Sequence, residues 1–173
     1  MDKITIAIDP GASGGLAWGF PRTLVKTCSM PDTMPEIADK IRAIKAEAKM
    51  FEGAELECII EQVGTYMPGN SGPAAATFAR HCGHLEAVVY CLGIPTRQVL
   101  PKSWQKTMPL TKFPPIDKSL PQGAAQKLRG MRKAVHKNEI KDYVARRFPH
   151  LRVTLKTADA LGIYLWVVEE LNE

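Results

Sequence analysis

The run Ile4-Thr5-Ile6-Ala7-Ile8, closed at once by Asp9-Pro10-Gly11, constrains this chain more than any other stretch. Apolar and β-branched residues in unbroken succession make a buried strand, and the Asp-Pro-Gly that follows stops it with turn residues. Gly14-Gly15 then leads into Leu16-Ala17-Trp18, and a third short strand is expected from Thr23 to Cys28. Strands joined so tightly after the first form an antiparallel meander. Glu57-Cys58-Ile59-Ile60-Glu61 reads as a central strand, and Pro95 to Leu100 as a fifth.

Helical spacing fills the gaps between these strands. Pro35 suits the first turn of a helix capped near Asp32 or Thr33, with Ile37, Ile41, Ile44 and Ala48 as its apolar stripe. Residues 64–72 are loop-like, and Ser71 or Gly72 with Pro73 opens a long helix. Its stripe is Phe78, Cys82, Leu85, Val89 and Leu92, and Gly93 ends it. Residues 101–136 are rich in Pro, Gly and Lys with little periodicity, which predicts a mobile functional loop. A helix follows from about Lys137 to Phe148 with Ile140, Val144 and Phe148 on one side. The last helix runs from about Thr157 to Leu171 around Leu161, Leu165 and Val168. The order is three strands, helix, strand, helix, strand, helix, helix. That is the order of the α/β ribonuclease-H-like fold, a five-stranded mixed sheet with helices on both faces.

Composition narrows the class. Hydrophobic residues at 45% and charged residues at 24% exclude a disordered or collagen-like chain. The longest apolar run, Ala160 to Val168, falls far short of the roughly 18 residues a membrane span needs. The first residues alternate as a strand and carry no signal-peptide pattern, so a cytoplasmic location is expected. Four cysteines without a C-x-x-C pair suggest reduced thiols. His81-Cys82-Gly83-His84 lacks the second half of a zinc site.

The net charge of +5 conceals a division along the chain. Residues 1–96 hold 8 Lys/Arg against 11 Asp/Glu, residues 97–156 hold 15 against 3, and residues 157–173 hold none against 4. A basic middle between acidic flanks fits a nucleic-acid-facing surface beside a carboxylate site; a solvated Lys/Arg face is the alternative. The basic middle includes Lys112, Lys118, Lys127, Arg129, Arg132, Lys133 and Lys137. Neutralising several phosphates with these groups makes binding salt-dependent, with the DNA backbone and shape read in preference to bases. A disordered basic loop of nonspecific affinity is the milder reading.

Three acids stand where sites form. Asp9 ends the first strand, Glu61 ends the fourth, and Asp159 lies in the first turn of the last helix. Sites in open α/β sheets gather at the carboxyl ends of strands. If strands one and four are neighbours, Asp9 and Glu61 share a crevice that Asp159 can reach. Three carboxylates so close repel unless a cation neutralises them, and oxygen ligands without His or Cys suit Mg²⁺ or Mn²⁺. Two such ions can activate water and stabilise the leaving oxygen in phosphodiester hydrolysis. Each acid alone also has a milder role, as turn starter, strand-end charge or helix-dipole partner.

Gly11-Ala12-Ser13-Gly14-Gly15 matches G-x-S-x-G formally, but a strand follows where the serine-hydrolase elbow needs a helix. It also lacks the Gly-Lys-Ser/Thr ending of a P-loop. Its glycines suit a tight hairpin and close approach of a DNA backbone.

Ile8-Asp9-Pro10-Gly11 with a Gly-rich hairpin, Ile60-Glu61-Gln62-Val63, and Ala158-Asp159-Ala160-Leu161-Gly162-Ile163 together resemble the RuvC-type Holliday junction resolvases. Asn70-Ser71, the long helix with Gly83, Leu92-Gly93-Ile94-Pro95 and Lys137-Asn138-Glu139 extend the resemblance over most of the chain. It implies one nuclease domain across residues 1–173, with a basic loop inserted at about 108–136. It also implies a homodimer that resolves four-way DNA junctions by paired symmetric Mg²⁺-dependent nicks, since one chain is too short for two active sites. Asp9, Glu61 and Asp159 then look like the metal ligands. Where the family commonly has a further acid or a His, this chain has Lys156. The second metal is then held by fewer protein ligands, with water or DNA phosphate filling in; alternatively Lys156 contacts the scissile phosphate, or the site is impaired. The family's lysine after the fifth strand has no clean match; Lys102 or Lys106 can substitute, and Lys137 matches the later one. Tyr66 and Met67 are candidates to wedge into an opened junction. Two alternatives stay open: a junction-binding protein that has lost catalysis, and a broader nuclease of flaps and other branched DNA.

Overall fold

The computed structural model describes residues 3–20, 24–63 and 72–170. Strand β1 (Lys3–Asp9) pairs antiparallel with β2 (Gly15–Gly19), which pairs antiparallel with β3 (Val25–Ser29). Strand β4 (Glu55–Glu61) lies parallel to β1 on its other side, and β5 (Thr96–Val99) lies parallel to β4. The sheet order is therefore β3-β2-β1-β4-β5, a mixed five-stranded sheet with the expected meander at one side.

Alternation along β1 separates two cores. Ile6 and Ile8, with Leu16, Trp18, Cys58 and Ile60, face one layer. It is built from α1 (Met34–Ala48) and α2 (Gly72–Cys91). Ala7, Ala17 and Ile59 face the other. That layer holds α3 (Pro101–Gln105), α4 (Gln122–Arg147) and α5 (Ala158–Glu170). The isoleucines of β1 are buried completely or nearly so. Each contributes roughly 2–3 kcal/mol by leaving water.

The predicted stripe Ile37, Ile41, Ile44 and Ala48 is the buried face of α1. Thr33 caps that helix: its side chain accepts from the Glu36 N–H while the Glu36 carboxylate accepts from the Thr33 N–H. Helix α2 buries only Leu85 and Val89 fully, and the chain turns away after it at Gly93, where φ is +62°. Helix α5 is buried on most sides, because it lies against β1 and β2 with α4 packed over it. The apolar run beginning at Ala160 is thus a core helix. No helix among the described residues is long and apolar enough to cross a membrane. The four cysteines are free thiols.

The segment 101–136 departs from the expected loop. Residues 101–105 form α3, and α4 starts at Gln122, fifteen residues before the expected Lys137. At 26 residues α4 is about 39 Å long. Its first half is rich in Ala, Gln, Lys, Leu and Arg, which favour helix without help from packing. Only Ala125 of that half is buried, so no apolar stripe announced it. The non-helical part is the Pro-containing stretch between α3 and α4. The third strand begins at Val25, and Thr23 lies outside the described residues.

Candidate active site

Parallel pairing of β1 with β4 puts Ile8 opposite Ile60, so the next residues, Asp9 and Glu61, leave the sheet side by side. Asp159 reaches the same place from the first turn of α5, whose N-terminal dipole favours a carboxylate. The loop after β1 must fold back tightly over this corner. A side chain at Gly14 would collide with the Asp9 carbonyl oxygen and lie 3.1 Å from the Asp9 carboxylate. The close approach that glycine permits there is thus to the chain itself.

The three acids line an open cleft of about 620 Å³. Ser13, Phe78 and Gln105 contribute to its walls, and Arg132, Lys133, His136 and Lys137 of α4 form one side. Asp9 is only 8% exposed, and no described residue donates a hydrogen bond to its carboxylate. Burial, followed by the charges of Asp159 and Glu61, pushes it up to about 8. Burial raises Glu61 to about 7, against an opposing hydrogen bond from Trp104. Asp159 is raised by burial as well, opposed chiefly by Lys137, whose Nζ lies 3.7 Å from Asp159 Oδ2.

These groups fit a hard divalent cation by donor chemistry. They are oxygen ligands only, mutually repelling, partly dehydrated, and in Asp9 without a hydrogen-bond donor among the described residues. Among the described residues, however, no three acids, histidines or cysteines stand gathered as a preformed cage. Lys137 is the nearest positive group to Asp159 in this arrangement.

The basic wall is held by its own contacts. Thr111 donates to the Glu139 carboxylate through both its N–H (3.1 Å) and its hydroxyl. The His136 ring is hydrogen-bonded to the Thr111 carbonyl at 2.7 Å, and Arg132 donates to the Pro114 carbonyl at 2.6 Å. The Arg132 guanidinium also lies over the Phe113 ring, 5.1 Å from its centre. The stretch 111–114 is thereby strapped to α4 beside the cleft.

Of the cations singled out by sequence, Arg132, Lys133 and Lys137 line the cleft. Lys102, Lys106, Lys112, Lys118, Lys127 and Arg129 are exposed outside it. Lys156 is also exposed and does not line the cleft. The turn before α5 is ordered by Thr154 and Thr157, with the Lys156 carbonyl packed toward Gly15. The lysine beside Asp159 is Lys137 instead. Tyr66 and Met67 lie outside the described residues.

Sequence reading missed two residues of the site. His136 carries no motif. Trp104 is fully buried and donates from Nε1 to Glu61 Oε1 at 2.9 Å. Its one signal was a tryptophan just after a strand.

No family model and no curated protein matches this sequence. Among solved structures, the fold is similar to that of Thermus thermophilus RuvC in complex with a Holliday junction substrate. The TM-score is 0.54 at 15% identity, over 98% of this chain and 96% of that one. A second Thermus thermophilus RuvC structure gives a TM-score of 0.49 at 14% identity, with the same coverage. The chain has a RuvC-like, ribonuclease-H-like α/β fold.

Proposed function

We propose that this chain is a divalent-cation-dependent endonuclease of branched DNA that resolves four-way junctions. One observation carries the reading: Asp9, Glu61 and Asp159 line the same cleft as Arg132, Lys133 and Lys137. A fold shared with a protein solved on a Holliday junction supports the choice of substrate.

Asp9, Glu61 and Asp159 would hold Mg²⁺, with Mn²⁺ able to replace it, and two ions per site are expected. Bound there, the cation supplies an activated water and neutralises charge on the leaving oxygen. The protein's part is positional and electrostatic. Lys133 and Arg132 hold the phosphate backbone against the carboxylates, and Lys137 balances Asp159 until a cation enters. Exposed Lys112, Lys118, Lys127 and Arg129 extend the positive surface along flanking DNA. Backbone contacts of this kind favour recognition of shape over sequence. Paired symmetric nicks require two such sites, hence a homodimer.

A second reading is a junction-binding protein that does not cut. The Lys137–Asp159 pair, the absence of a preformed cage among the described residues, and Lys156 at the family's usual acid position favour it. A third, broader activity on forks and flaps follows from the same shape-based recognition. One assay separates the three. Cleavage with Mg²⁺ is compared on a four-way junction, a fork, a duplex and a single strand, alongside binding to each. Selective junction cleavage supports the proposal, whereas tight junction binding without cutting overturns it in favour of the second reading.

A further inference from the structure

We infer that Trp104 is a positioning residue that sets the orientation of Glu61 for cation binding; the inference rests on the metal-dependent reading above. The indole is fixed from every side that matters. Leu100 and Pro101 turn the chain from β5 directly into α3, and Thr107 donates its hydroxyl to the Trp104 carbonyl at 3.0 Å. The ring is wholly buried in the core shared with α5.

Its seat is a glycine. A Cβ at Gly162 would lie 2.7 Å from Trp104 Cζ3 and 2.8 Å from Met108 Cε. The ring therefore rests directly on the backbone of α5, one turn beyond Asp159. From that seat its only polar atom donates to Glu61 Oε1 at 2.9 Å. The base of Glu61 is tied to the same corner, because the Gln62 N–H donates to the Val99 carbonyl at 2.7 Å just before α3 begins.

A buried indole N–H needs some acceptor, and a backbone carbonyl would serve. Here the acceptor is a carboxylate that lines the cleft. One oxygen of Glu61 is thus committed to the indole, and no described residue donates to the other. The carboxylate cannot rotate without breaking the bond, and the ring cannot follow it without striking α5. Trp104 thereby links the β4 ligand to the helix that carries Asp159. Partners that orient metal ligands typically alter metal affinity 10–100-fold when removed.

The test uses the full-length chain. Titration with Mg²⁺ is followed by the indole N–H signals of ¹⁵N-labelled protein. Trp104 should shift as the cation saturates, while Trp18, whose Nε1 donates to Glu47 on the α1 layer, should not. In parallel, Mn²⁺ binding is measured by the loss of the free-ion electron paramagnetic signal. Trp104→Phe should weaken Mn²⁺ binding about tenfold or more. Met108→Ala, which loosens the same packing but keeps the indole donor, should lower thermal stability and leave Mn²⁺ affinity within about twofold. Unchanged affinity in Trp104→Phe, or a Trp104 signal indifferent to saturating Mg²⁺, overturns the inference. A wild-type chain that binds neither ion overturns the metal-dependent reading itself.

Discussion

Replacing Asp9 by Asn gives a stability prediction with a defined sign. Asp9 is buried, and its pKa is raised from 3.8 to about 8 by burial and then by Asp159 and Glu61. A carboxylic acid raised in the fold stabilises it below the unfolded pKa and loses that contribution as pH rises through the folded one. Without divalent cations the contribution of Asp9 therefore falls from about pH 4 to about pH 8. At about 1.4 kcal/mol per unit, the difference at Asp9 amounts to roughly 5 kcal/mol by pH 8. That is an upper bound, since the cleft is open to water. Asn has the same shape and no charge to desolvate. In EDTA, the Asn variant should gain several kcal/mol over the wild type between pH 4 and pH 8. Urea denaturation of both proteins at several pH values measures the gap. A gap that stays constant across this range would refute the buried, raised Asp9 on which the cation argument stands.

Three further outcomes follow from the same geometry. Saturating Mg²⁺ at pH 8 should stabilise the wild type by about 2.7 kcal/mol at a hundred times its dissociation constant. Asp9→Asn should show little of this gain in a thermal melt. Lys133→Gln should lower the slope of log affinity against log salt by about 0.9 for duplex arms if it contacts one phosphate, measured by fluorescence anisotropy. Gly162→Ala should cost roughly 1–3 kcal/mol of stability by pressing a methyl group on Trp104, measured by urea denaturation.

The parts of the fold that sequence disclosed are those where burial imposes a period. Ile6 and Ile8 announce β1, and Ile37, Ile41 and Ile44 announce α1, because each sits against one face of a core. Asp9 and Glu61 were legible as strand-end acids, and their meeting depended only on β1 and β4 being neighbours. The first half of α4 left no such mark. Its sides face water or the cleft, so propensity decides its conformation and periodicity is silent. The same helix carries Arg132 and Lys133 to the cleft, which the expected loop obscured, whereas Lys137, expected at the helix start, reaches Asp159. Trp104 was hidden for another reason. Its contact with Glu61 spans 43 positions of sequence and depends on the missing side chain at Gly162.

Asp9, Glu61 and Asp159 are proposed to form a cation-dependent nuclease site. The most direct measurement is junction cleavage by wild type and Asp9→Asn, with binding recorded in the same reactions. With Mg²⁺, the wild type should place paired nicks with ligatable ends in a four-way junction. Asp9→Asn should bind that junction with comparable affinity and leave it intact. A wild type that binds without cutting, or an Asn variant that cuts as fast, would contradict the account.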